Sequence, residues 1–179
     1  MNYRIIKEQD NPILAKILRD NTMAEIDRLK EIVEILRSEN GCPWDRVQTH
    51  ESLKQACIEE AAEVINGINN YTKTGDAENL KEELGDLLLQ VVFHSVIAEE
   101  EGLFTFDDVA KTASEKMVRR HPHVFAGVNY SSKEEQHAAW EAIKRQEKAG
   151  KEWFADTLPE AFEEAKELIE KAKERKGYE

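Results

Sequence analysis

Apolar residues in this chain recur at helical spacing almost from end to end. From Met23 the sequence sets Ile26, Leu29, Ile32/Val33 and Leu36 on one side, then stops at Asn40-Gly41, a helix-ending pair. A second period runs from about Ser52 to Tyr71, with Leu53, Cys57, Ala61, Val64 and Ile68 on one face. A third, from about Ala77 to Glu101, buries Leu80, Leu84, Leu87/Leu88, Val91 and Ile97 and is closed by Gly102. Thr105 is suited to cap a fourth helix over "FDDVAKTASEKMVRR". Ser132 starts a fifth over "KEEQHAAWEAIKRQEK", and a last amphipathic helix spans about Pro159 to Lys176. "GCPWDRVQTHES" and "HPHVFAGVNYSS" read as loops, with Thr49 or Ser52 capping the helix after the first. No alternating strand pattern interrupts the series. The expected fold is all-α, a helical bundle.

Residues 1–22 differ from the rest. Pro12 and Asn21 punctuate them, leaving room for a short helix from Ile13 to Arg19. The expected organisation is an N-terminal extension, 1–22, followed by a single helical domain over 23–179.

Composition agrees with helix. Glycine (8) and proline (4) are scarce among 179 residues, and charged residues make up 35%. The net charge of −12 argues against a general nucleic-acid binder, which carries a broad basic surface. An anionic ligand then needs a local cationic patch or divalent metal ions. Cys42 and Cys57 have no metal-type spacing and make no disulfide scaffold, so a reduced, cytoplasmic setting is expected. No stretch reaches the roughly 20 apolar residues of a membrane span, and the N-terminus lacks the apolar core of a signal peptide.

The chemistry concentrates in two acidic clusters, Glu59-Glu60-x-x-Glu63 and Glu82-Glu83-x-x-Asp86. On a helix Glu60 and Glu63 share a side, and Ala56, Glu60, Glu63 and Gly67 form a stripe beside the apolar one. Asn79, Glu83, Asp86 and Gln90 repeat that arrangement on the next helix. If the two helices pack antiparallel, four carboxylates converge at the rim of the bundle, and their repulsion calls for cations. Oxygen-only ligands suit hard ions, Mg²⁺ first and Mn²⁺ second. Glu59 and Glu82 lie about 100° around their helices from these neighbours. The plainer alternative is a solvated acidic face. A di-iron bundle is disfavoured, because neither cluster has a His three residues on and His94 fits a core role better.

"KMVRRHPHVF" gathers Lys116, Arg119 and Arg120 near a helix C-terminus, where cations are favourable in any case and where an Arg fork also matches phosphate oxygens. Trp44 in its loop, and Trp140 with Lys144 one helical turn later, are either packing anchors or surfaces for a base.

Five motifs in order, "GCPWDRVQTHESL", "EEAAEV", "EELGDLLLQVVFHSVIAEEEG", "KMVRRHPHVF" and "WEAIKRQEK", resemble the MazG family of nucleoside triphosphate pyrophosphohydrolases, in the all-α NTP pyrophosphatase superfamily. The resemblance runs from about Met23 to Lys176. It implies Glu60, Glu63, Glu83 and Asp86 as Mg²⁺ ligands, with Glu59 a less certain member. It further implies a metal-activated water attacking the α-phosphorus to give nucleoside monophosphate and pyrophosphate. Lys116, Arg119 and Arg120 would contact phosphates, and Trp44, Trp140 and Lys144 would border the base. Some relatives carry two copies of the domain and this chain has one, which implies a homodimer or higher homo-oligomer with helices shared across each site. The competing class is a non-enzymatic helical module that senses nucleotides or binds a protein partner.

Overall fold

In a computed structural model, residues 24–178 are described, and among them every regular element is helical. In chain order these are α1 (Glu25–Arg37), α2 (Pro43–Arg46), α3 (Lys54–Thr74), α4 (Glu78–Glu100), α5 (Phe106–Arg120), α6 (Pro122–Phe125), α7 (Lys133–Lys148) and α8 (Glu152–Lys176). The expected helix Ile13–Arg19 lies outside the described residues.

The bundle is organised on the α3–α4 hairpin. Gly75, at φ 76°, ends α3 in the left-handed conformation that glycine adopts without a Cβ penalty, and its N–H bonds the Tyr71 carbonyl at 2.8 Å. A second glycine sets the spacing of the pair. A Cβ built on Gly67 would lie 2.9 Å from the Leu80 Cα, so only a residue without a side chain admits α4 at this distance. α1 packs on α4 from another side, and α8 packs along α3.

The core is small: Val33, Leu53, Val92, Phe93, Val96 and Ile97, with Ile26, Leu29, Leu89 and Phe106 packed around it. Each fully buried side chain of this size contributes about 1.5–3 kcal/mol. Arg37 closes its upper end. Its Nε and Nη2 donate to the Glu100 carboxylate at 2.9 and 2.6 Å, and Nη1 donates to the carbonyls of Asp45 and Gln48 at 2.7 and 3.1 Å. One guanidinium thus joins α1, α4 and the loop around α2.

The structure corrects several expectations. Leu84, Leu88 and Val91 are 49%, 39% and 39% exposed. Beside its acidic stripe, α4 carries apolar residues on more than one face, and one chain has partners for only part of that apolar surface. Ile68 on α3 is exposed as well. α8 begins at Glu152, not near Pro159, and carries Pro159 inside it. Both expected loops contain a single helical turn, each opened by a proline at the first position, where its missing N–H costs nothing. Thr49 and Ser52 do not cap α3, whose N-cap is Leu53. They bond each other, Ser52 Oγ accepting from Thr49 N at 2.9 Å and Thr49 Oγ1 from Ser52 N at 3.2 Å. Thr105 does cap α5, in a reciprocal capping box with Asp108, and Ser132 caps α7.

Candidate active site

The α3–α4 hairpin brings three of the predicted acids to one point. One carboxylate oxygen each from Glu60, Glu83 and Asp86 lies within 4.8 Å of the others. Glu83 is buried and is oriented by a short amide chain: Asn79 Nδ2 donates to Glu83 Oε1 at 2.7 Å, and Asn70 Nδ2 donates to Asn79 Oδ1 at 3.2 Å. Asn79 comes from the same polar stripe as Glu83, one turn earlier, and Asn70 reaches over from α3. One turn beyond Asp86, Gln90 is buried with an Oε1 that has no partner.

The electrostatics of the group are unfavourable by themselves. Burial pushes the Glu60 carboxyl above its ordinary range, and the charges of Asp86 and then Glu83 push it further the same way. Lys176 opposes the shift. Three carboxylates this close suit a hard divalent cation, which takes oxygen ligands and offsets their repulsion. The donor set therefore fits Mg²⁺ or Mn²⁺. Glu60, Glu83 and Asp86 would hold the ion.

Glu63, the fourth predicted ligand, is engaged elsewhere. It is ion-paired with Lys176 from the end of α8. Glu59 is more buried than its place on the helix suggested, at 9% exposed. It accepts from Gln55 Nε2 at 2.6 Å and from Arg175, so it faces α8. Glu82 is exposed. The part played by Arg175 and Lys176 was missed in the sequence, although "KAKERK" concentrates cations in the last turn of a helix, where the helix dipole alone accounts for them.

The predicted substrate contacts form a separate group. Arg119 Nε and Arg120 Nε both donate to the Glu147 carboxylate, at 2.7 and 2.9 Å, and this pairing holds Glu147 below the usual carboxylate range. The Lys144 ammonium sits 4.1 Å from the centre of the Trp140 ring, and the Arg120 guanidinium lies 5.8 Å from it. Arg120 and Trp140 border a cavity of about 560 Å³ between α5 and α7, together with His123 and Tyr130. Lys116 is half-buried on α5, and Trp44 on α2 is 63% exposed. The carboxylates contribute nothing to that cavity.

Residues 48–125 match the MazG nucleotide pyrophosphohydrolase domain. The chain carries a MazG domain. It is 54% identical over 126 residues to the nucleoside triphosphate pyrophosphohydrolase/pyrophosphatase MazG of Thermotoga maritima, covering 70% of this chain and 46% of that protein. It is 46% identical over 130 residues to the nucleoside triphosphate pyrophosphohydrolase of Escherichia coli K12, covering 72% and 48%. With the uncharacterized protein YabN of Bacillus subtilis it shares 48% identity over 139 residues, 77% of this chain and 28% of that one. The chain thus spans about half, or less, of the length of these relatives. The matched MazG segment contains the hairpin and its acids, Lys116, Arg119 and Arg120. It excludes Trp44, Trp140, Lys144 and α8.

Proposed function

We propose that this chain hydrolyses nucleoside triphosphates, ribo- or deoxyribo-, to nucleoside monophosphate and pyrophosphate in a Mg²⁺-dependent reaction that Mn²⁺ also supports. The observation that carries the reading is the convergence of Glu60, Glu83 and Asp86 within 4.8 Å on the α3–α4 hairpin, inside the segment that matches the MazG domain. When bound, the divalent ion would supply positive charge to the phosphate oxygens and lower the pKa of a water.

The chain's own residues do the rest. Glu60, Glu83 and Asp86 would hold the ion, and the proton of the attacking water passes to bulk water. The water oxygen bonds to the α-phosphorus, the bond to the α–β bridging oxygen breaks, and pyrophosphate leaves with that oxygen. No covalent enzyme intermediate is required. Asn79 and Asn70 keep Glu83 in place through the step.

Lys116, Arg119 and Arg120 remain the proposed phosphate contacts and Trp44, Trp140 and Lys144 the proposed border of the base. Arg120 and Trp140 lie apart from the acids within one chain, and a second copy of the chain would bring them to its partner's acids. Support comes from α4, where Leu84, Leu88 and Val91 form an exposed apolar line one helical turn apart, and from Ile65 and Ile68 on α3. We therefore infer a homodimer or higher homo-oligomer built on the α3–α4 face, with residues 23–179 forming a single helical domain. The biological role is sanitation or regulation of a cytoplasmic nucleotide pool. Nucleic acid and membrane are not expected partners, given the net charge of −12 and the absence, among the described residues, of a helix long and apolar enough to cross a membrane.

The test is to incubate the protein with canonical and modified triphosphates plus Mg²⁺ and resolve the products. Monophosphate and pyrophosphate in equal amounts are expected. Orthophosphate release excludes the proposed bond cleavage, and nucleotide binding without turnover favours a sensor module.

A further inference from the structure

The end of α8 lies on the acidic face of α3. Lys176 is ion-paired with Glu63 and lies 4.0 Å from Glu59, and Arg175 hydrogen-bonds Glu59. Gly177, at φ 73°, stops the helix just after these cations. Between α3 and this last turn is a cavity of about 410 Å³. Glu63, Glu83 and Asn66 lie on one wall and Lys173, Lys176 and Tyr178 on the other. Glu83 also belongs to the acidic triad, so the cavity and the triad share one carboxylate.

A cavity with carboxylates on one side and ammonium groups on the other is matched by a divalent cation carried on an oxyanion. The cation meets the acids and the anion meets the lysines. Before either arrives, Lys176 is the charge nearest to hand for Glu63. α8 lies outside the matched MazG segment, so this arrangement is additional to what the domain match covers.

We propose that Lys176 is a charge-exchanging latch: it neutralises Glu63 until a divalent ion takes the acidic face, then turns its ammonium to the polyphosphate of the substrate in the α3–α8 cavity. The inference rests on the reading of Glu60, Glu83 and Asp86 as a divalent-ion site. It makes Lys176 both a competitor of the metal and a ligand of the substrate, whereas an ordinary surface ion pair is neither.

Two constants separate these roles. The first is Mn²⁺ affinity without nucleotide, read by electron paramagnetic resonance. The second is affinity, at saturating Mn²⁺, for a triphosphate analogue with a methylene in place of the α–β bridging oxygen. An exposed ion pair accounts for up to about fivefold in an equilibrium constant. Lys176→Gln is expected to tighten Mn²⁺ binding about three- to fivefold and to weaken analogue binding at least about threefold, and Lys176→Arg restores both. Wild-type values for both constants, with helical circular dichroism intact, overturn the latch and leave the metal site standing. A change in one constant alone overturns the exchange, and so does loss of both affinities, which marks Lys176 as a structural strap. A wild-type chain that binds no Mn²⁺ overturns the metal reading and the latch together.

Discussion

Gly67 on α3 and Leu80 on α4 touch backbone to backbone, with no room for a Cβ between them. The contact lies one turn from Glu63 and one turn from Glu83, so the distance between the acid-bearing helices depends on it. Gly67→Ala is expected to destabilise the fold by about 1–3 kcal/mol, since overpacking outweighs the better helix propensity of alanine. It should also weaken Mn²⁺ binding by moving Glu83 away from Glu60. Urea denaturation gives the first value and metal titration the second.

Removing a carboxylate from the triad separates function from folding. Asp86→Asn and Glu60→Gln each remove one charge from a repelling group that has no ion. Turnover should fall by more than about 100-fold, while the metal-free protein melts at the same temperature or higher. A matched pair of activity assays and thermal melts checks both halves, and retained turnover removes the residue from the site.

His94 links the fold to pH. Its Nδ1 is 2.7 Å from Nδ1 of His50, and its Nε2 is 3.2 Å from the Cys57 sulfur. Burial lowers its pKa below the ordinary imidazole value of about 6.5, and the neighbouring His50 adds to the effect. The unfolded chain therefore binds a proton first as pH falls. Stability should decline from about pH 6.5 downward until the lowered native pKa is passed. His94→Gln should flatten that part of the curve, as measured by denaturant midpoints between pH 5 and pH 8.

The uncovered face of α4 predicts assembly. Leu88→Lys places a charge amid Leu84 and Val91 and should convert the proposed homodimer to monomer, seen as a halved mass in sedimentation equilibrium. Because Leu88 is already 39% exposed in one chain, the monomer's helical signal should be little changed.

Helix order and most helix ends were legible in the sequence, because period, caps and glycines are local. Thr105 and Ser132 each cap a helix where the sequence placed them. Pro159 misled: the local rule would have started the helix at the proline, whereas α8 begins at Glu152 and runs through it. For the acids, spacing indicated the correct faces and no more. It did not separate Glu63 from Glu60, nor anticipate that Glu59 is buried against α8.

The sequence by itself determined an all-helical chain with two acid-bearing stripes flanking apolar ones, because the azimuth of a side chain follows from 3.6 residues per turn. The tertiary structure alone decided which acids meet. Azimuth carries no information about the distance between two helices, and that distance is set by the Gly67–Leu80 contact. It also decided that Glu63 meets Lys176, a residue 113 positions away, because α8 folds back along α3.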